Sequence, residues 1–444
     1  MMAPWKDRSV AGRVLALGYL LAALLIGGCF LLPTRPALAD TITVNNTADP
    51  GDGDCNPNGG CTLREAINKA NGTGSKDAIR FDIAGGTGVK TIKPKSQLPQ
   101  ITWPVTIDGY TQTGASKNTL DQGTNAVLTI ELNGEDSGPT KLGLKIRASN
   151  SSVTGLVINR FGSNGIDVGG PGSLAESTRV AGNFIGTDPS GTLDRGNEGR
   201  GVVIYGEGTS GNTVGGSRPA GRNLISGNDA GGVGIFLLGE ENAVLGNLIG
   251  TEKNGTDALG NSGEGVRIGG PAPDNLVGAT LSGGANTIAF NGDDGVRIID
   301  EGSTGNAILR NSIFSNGGLG INLDDDGATA NDTDDGDTGP NNLQNKPNLT
   351  SARNGGGKTT LKGSLNSVPN RTFNIRFFSN PSGNEGKKYL GAKNVITDAN
   401  GDTGSFTFKP ENKVGTNQTI TATATRLLAG DTSEFSNAEA VVAN

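Results

Sequence analysis

Asp293, Asp294 and Arg297 fall close together in Asn291-Gly-Asp-Asp-Gly-Val-Arg297. A pair of carboxylates can hydrolyse a glycosidic bond when the two groups stand about 5 to 9.5 Å apart, and Asp324 with Asp326 offers a second such pair. Lyase chemistry on a uronate polymer needs instead a cation on the substrate carboxylate and a Lys or Arg base, roles in which Arg297 and its neighbouring aspartates can be cast. The same Asn-Gly-Asp-Asp-Gly run is also ordinary tight-turn sequence. Histidine is absent from all 444 residues. That excludes Ser-His-Asp and Cys-His machinery and the usual histidine zinc sites.

A second group of chemically able residues follows. Between Asp324 and Asp337 seven of fourteen residues are aspartates, and carboxylates at that density repel one another unless a cation sits among them. Asp324, Asp326, Asp332, Asp334 and Asp337, spaced by Asn and Gly, resemble the ligands of a loop for a hard cation such as Ca2+. The run lacks EF-hand spacing and its closing Glu. The other reading is a solvated acidic linker.

The elements that must position these residues announce themselves by repetition. Asn183-Phe-Ile-Gly-Thr returns as Asn247-Leu-Ile-Gly-Thr, Gly201-Val-Val-Ile as Gly265-Val-Arg-Ile, and Asn242-Ala-Val-Leu-Gly-Asn as Asn306-Ala-Ile-Leu-Arg-Asn, at spacings of 63 to 64 residues. Each unit reads as three short strands separated by Gly/Asn turns, with no two-residue hairpin turn recurring. Coils of roughly 24 and 40 residues alternate, and stacking them sets each Val or Ile over its counterpart at the ~4.8 Å spacing of neighbouring strands. The expected body is a right-handed parallel β-helix. Asn183, Asn223, Asn247, Asn286 and Asn311 then share one corner, where stacked amides form a hydrogen-bonded ladder.

On the outward side of the Gly-x-x-x strands, Asp167, Val203, Arg267, Arg297 and Asn322 fall in one column, with Tyr205 and Asp300 at its edges. Asp167, Tyr205, Arg267 and Arg297 are the candidate binding residues. The longer coils carry matched insertions at 187–199 and 251–263 that project from one face, either as binding loops or as neutral surface loops.

Composition agrees with an elongated exported body. Glycine accounts for 74 residues without a Gly-X-Y period, so it serves turns rather than collagen. Lys6, Arg8 and Arg13 precede an apolar run at 14–32, and Ala37-Leu-Ala39 offers small residues for signal-peptide cleavage before Asp40. Two rivals are a lipidated Cys29 in Ile26-Gly-Gly-Cys29, and an uncut membrane anchor, for which 19 apolar residues suffice. Without residues 1–39 the chain loses Lys6, Arg8, Arg13, Arg35 and Asp7, leaving 33 bases against 43 acids, a balance of −10. That sign disfavours nucleic acid and anionic membrane as partners. Cys55 and Cys61 are then the remaining cysteines; a disulfide closing the short loop between them is the expectation, and two free thiols the other reading.

Directly after Cys61, Thr62-Leu-Arg-Glu65 is a capping box opening a short amphipathic helix on Leu63, Ala66, Ile67 and Ala70 that Gly72 ends. Asp54-Cys55, Cys61-Thr-Leu-Arg-Glu-Ala66 and Pro104-Val-Thr-Ile-Asp-Gly109 together resemble the N-terminal module of bacterial exported proteins named for a Cys-Ser-Leu-Arg-Glu-Ala signature, with Thr62 in place of Ser. The ending Asp431-Thr-Ser-Glu-Phe-Ser-Asn437 is similar to a terminal module found with that family.

Further strands are expected at 79–83, 89–92, 105–107, 127–132, 142–146 and 153–158, and after Pro347 at 359–365, 373–378, 388–396, 404–408 and 419–425. The last group predicts a small antiparallel β-sandwich, immunoglobulin-like in outline. The expected organisation is a signal peptide (1–39), a capping module with one short helix (40–100), a parallel β-helix (101–345) with the acidic loop at 324–342, and the sandwich (349–444). All-β architecture of this kind serves lyases, hydrolases and adhesins alike. With four Tyr and two Trp for sugar platforms, and Val203 interrupting the charged column, the reading is a secreted or cell-surface structural and binding protein contacting polysaccharide or other surface proteins. The alternative is a calcium-dependent polysaccharide lyase or glycosidase.

Overall fold

The computed structural model describes residues 39–50, 53, 55 and 60–443. The expectations for the N-terminal leader, Cys29 included, lie outside the described residues. The chain is mostly β with one α-helix among the described residues. From Ser152 onward the backbone visits three parallel sheets in rotation, one strand to each per coil, which is the arrangement of a parallel β-helix. Sheet I runs in nine strands from Thr41–Val44 to Ala307–Leu309, sheet II in eight from Lys90–Ile92 to Ser312–Phe314, and sheet III in seven from Leu144–Ile146 to Ile321–Leu323.

Register explains why the repeat keeps its aliphatics in phase. Val180, Val214, Val244, Val277 and Ile308 pair in succession in sheet I, and Ile185, Ile225, Ile249, Ile288 and Ile313 in sheet II. All ten are buried in one continuous core. β-branched side chains suit this pleated stacking, and each layer buries the face its neighbours leave open. The glycine of Asn-x-Ile-Gly is there for a steric reason. Gly186 and Gly250 hold φ of +92° and +86°, and a Cβ would sit 2.2 and 2.0 Å from the carbonyl oxygens of Ser226 and Ala289 in the next coil.

Three asparagine ladders run along the stack. The expected one links Asn183, Asn223, Asn247, Asn286 and Asn311 by amide–amide bonds of 2.9 to 3.2 Å. A second joins Asn197, Asn228, Asn261, Asn291 and Asn316, and a third joins Asn212, Asn242, Asn275, Asn306 and Asn341. Each amide also bonds backbone groups of adjacent coils, as Asn223 does by donating to Val180 O and Asn247 by accepting from Asn223 N. The corners thus satisfy buried backbone that the strands leave unpaired.

Both ends of the stack are covered. At the first, the helix Leu63–Gly72 buries Leu63, Ala66, Ile67 and Ala70 against the core. Its capping box is present, with Glu65 N donating to Thr62 Oγ1 and Thr62 N to Glu65 Oε2. Arg64 grips Asp49 with both Nε and Nη2, and Cys61 is bridged to Cys55. Residues 61–66 are therefore occupied structurally, one by one. Gly72 is the last helical residue rather than the stop; the left-handed turn falls on Gly74 (φ +71°).

The C-terminal module differs from expectation. It is a single seven-stranded mixed sheet, nearly barrel-like, rather than two antiparallel sheets of an immunoglobulin-like sandwich. Two unread strands cause this. Glu439–Ala443 pairs parallel with Asn348–Gly355 and antiparallel with Thr419–Arg426, fusing the halves. The sheet then curls until Phe377 stacks on Phe408 of the far strand, centroids 4.4 Å apart.

This module closes the last coil. Ile308 N of sheet I donates to Thr432 Oγ1, Ile313 of sheet II exchanges backbone bonds with Gly386, and Leu323 N of sheet III donates to Glu434 Oε1. Phe378 and Phe435 join the β-helix core. An open parallel edge is a template for further strands; here all three edges receive partners from one module.

Candidate ligand groove on the third sheet

Sheet III presents the outward column foreseen in the repeat, with two additions. The register runs Lys145, Asp167, Val203, Gly234, Arg267, Arg297, Asn322. Val203 and Gly234 leave the middle low. The flanking column there holds Tyr205 beside Phe236 and then Gly269, and the Phe236 ring folds over Gly234, where a Cβ would meet it at 2.3 Å. The result is a groove of about 550 Å³ bounded by Asp167, Arg200, Tyr205, Phe236, Arg267 and Asp300. Leu237, 57% exposed, stands at its rim in a left-handed conformation.

Glu264 organises the charges. Its side chain is only 4% exposed and receives Arg200 at 2.7 Å, Arg267 at 3.1 Å and Arg297 at 3.1 Å. Burial alone would push its carboxyl up, but the Arg200 guanidinium, with Arg267 beyond it, holds it below the ordinary glutamate value. Arg200 also lies over the Phe236 ring at 5.5 Å, and Arg267 keeps a buried Nε without a hydrogen-bond partner. Asp167 is buried on the floor, held by Asn164 Nδ2 at 2.9 Å; burial raises its pKa against the opposing influence of that bond and of Lys145.

The candidate catalytic residues meet, but as a closed network. Arg297 reaches Asp294 through Nε (2.6 Å) and Asp293 through Nη2 (2.7 Å), and its Nη1 lies near both Glu264 and Asp325. Burial works against its charge, yet the bond to Asp294 and the charges of Asp293 and Glu264 raise its pKa overall. An arginine so held is a poor base. Asp294 is buried, accepting from Leu319 N and Asn322 Nδ2 as well, so it closes a turn between coils.

The acidic loop divides. Asp332, Asp335 and Asp337 bring carboxylate oxygens within 4.8 Å of one another; Asp335 was not among the residues picked from the sequence. Asp324, Asp326 and Asp334 stand outside that cluster. Three carboxylates fall short of the six to eight oxygens calcium takes, and both Asp335 oxygens already accept, from Asn345 N and Ser367 Oγ. Burial, against those two bonds and with Asp337 and Asp332 adding to it, pushes Asp335 from 3.8 up to about 6. An acid whose folded pKa is raised stabilises fully below its unfolded value and loses that contribution as pH rises through the folded one. Asp335→Asn is therefore expected to flatten the decline in stability between pH 4 and 7, by on the order of 2 to 3 kcal/mol. Urea midpoints across that range check it; parallel pH profiles for the two proteins would refute it.

The matched insertions stack on each other, Lys253 N donating to Gly191 O, while Thr124 N from an earlier loop donates to Lys253 O. Arg200, Glu264, Gly234 and Phe236 were missed from sequence. Arg200 and Glu264 each stand one residue before the glycine of a Gly-x-x-x strand, Gly234 two residues after it, and Phe236 one residue past its end in register with Tyr205. Compared with models of known protein families and with curated proteins, the chain matches none.

Proposed function

We propose that this is an exported structural and binding protein, adhesin-like, whose sheet III groove holds a segment of glycan without turning it over. The observation that carries the reading is the pairing of a Tyr205–Phe236 platform with Arg267 and Asp300 around one groove, while Glu264, Asp293 and Asp294 sit in ion pairs with arginine. Aromatic faces stack on sugar rings, and a few placed polar groups orient the ligand. The coil is taken as right-handed, the hand of nearly all parallel crossover connections. The Cys55–Cys61 disulfide suits an oxidising, extracellular compartment.

Calorimetry against a panel of neutral and uronate oligosaccharides tests this. Tyr205→Ala and Arg267→Ala, both at partly exposed positions, are expected to weaken the binding member at least tenfold while leaving the melting temperature within about 2 °C. Absence of binding across the panel would sink the glycan reading. Release of new reducing or unsaturated ends on prolonged incubation would favour the lyase or glycosidase alternative.

A further inference from the structure

A second feature lies at the joint between the last coil and the terminal sheet. A cleft of about 380 Å³ there is bordered by Arg310, Lys388, Lys413 and Tyr389, with Glu411 its one acidic neighbour. Arg310 stands in a left-handed turn (φ 56°) with its guanidinium 4.4 Å from the Tyr389 ring centroid, and its Nε is buried with no hydrogen-bond partner. Arg376, close enough for Arg310 to depress its pKa, is 6% exposed and donates to Thr425 Oγ1. Among the described residues, none of Arg310, Arg376, Lys388 and Lys413 has a carboxylate within ion-pair distance.

On sheet III the buried cations are held differently. Arg297 and Arg200 are tied to Glu264, Asp293 and Asp294. Like charges gathered without a counterion are costly where water is scarce, and burial, with Arg310 adding to it, already pushes Arg376 down to about 10. An anion seated among Arg310, Lys388 and Lys413 would offset that repulsion. The donors come from both the coil and the terminal sheet, and they include a planar fork and two mobile ammonium groups. That set suits a tetrahedral oxyanion with acceptors pointing in several directions.

We propose that this cleft is a binding site for a sulfate or phosphate group, free or as an ester on a larger molecule, gripped by Arg310 with Lys388 and Lys413 at the rim. The site is separate from the sheet III groove.

Calorimetric titration of the full chain at constant ionic strength tests it, with sodium sulfate, sodium phosphate and a sulfated disaccharide as probes and sodium chloride as blank. A saturable one-site heat with at least one probe is expected. It should weaken at least tenfold in Lys388→Gln/Lys413→Gln, both exposed positions, and in Arg310→Lys, which keeps the charge but loses the fork. Arg267→Ala should leave it unchanged. Saturation by the disaccharide alone points to an ester ligand, and saturation by the inorganic ions to a free one. No saturable heat with any probe, or equal binding by the double variant with native circular dichroism, overturns the proposal.

Discussion

Asn247→Ala is expected to cost roughly 4 kcal/mol, more than removal of any exposed side chain in the repeat. Asn247 is 1% exposed and makes four kinds of bond. Its Oδ1 accepts from Asn223 Nδ2 at 2.9 Å and from Asn223 N at 3.3 Å, and its Nδ2 donates to Val214 O at 2.9 Å and Asn286 Oδ1 at 3.0 Å. Alanine strands the Asn223 amide groups and the Val214 carbonyl where no water reaches, at about 1 to 3 kcal/mol for each group left unpaired. Asn247→Asp separates geometry from hydrogen bonding. A charged carboxylate only accepts, so it faces Val214 O and the Asn286 oxygen with no proton to offer, and the loss at pH 7 should exceed that of alanine. Acidification should restore part of it. Urea midpoints, with hydrogen exchange at Asn223 and Leu248, give the measurement; a change below about 0.5 kcal/mol would mean that the ladder is decoration.

Glu264→Ala is expected to cost roughly 3 to 5 kcal/mol, the usual penalty for removing one partner of a buried charge group. Arg200 and Arg297, with side chains 12% and 11% exposed, would lose a carboxylate, while Arg267, 30% exposed, can turn to solvent. Glu264→Gln keeps an acceptor and should lose less. Because the arginines hold Glu264 below its ordinary 4.5, its stabilisation is fully present above that value and disappears as pH falls through the folded one. The wild type should therefore lose stability at acid pH more steeply than Glu264→Gln. Identical acid limbs would show that Glu264 is not the hub of the network. Its pH window lies below that of Asp335, so the two effects can be read in one titration.

How much of this was legible depended on whether neighbours in space were also regular in sequence. The first asparagine ladder was, because Asn183, Asn223 and Asn247 each open the same Asn-x-Ile motif. The second was too: Asn197, Asn228, Asn261 and Asn291 each stand four residues before the glycine of a Gly-Val-x-Ile strand, though the three residues between differ in every coil. Asp167, Val203, Arg267 and Arg297 were placed in one column because Gly-x-x-x fixes which residues point outward. Gly234 and Phe236 were not placed there although Gly232-Val-Gly-Ile235 keeps the same spelling, because a glycine offers the column no side chain and Phe236 falls one residue past the run.

The terminal module was misread for a related reason. Its strands alternate as sandwich strands do, and alternation carries no information about whether the last strand joins one sheet or two. The parallel pairing of Ala352 with Val441 decides that, and it is a contact between residues far apart in the chain. Likewise Asp431-Thr-Ser-Glu-Phe-Ser-Asn437 stood out as a motif, but its task of satisfying the edges of the last coil could be read only from the docked chains.

Sequence alone determined the repeating body of this protein, its corner asparagines, its capped helix and its disulfide, because each follows from local spacing that stacking merely repeats. Tertiary structure alone decided how exposed each charge is, Arg267 at 30% against Arg297 at 11%. Arg297 and Asp294 look as available in the sequence as Arg267 does, yet the first two are closed into Glu264, Asp293 and Asn322 while Arg267 borders a groove. The pairs of Arg297 with Asp293 and Asp294 are local, but its bond to Glu264 and that of Asn322 to Asp294 cross coils, and a bond across coils leaves no mark in the order of residues along one.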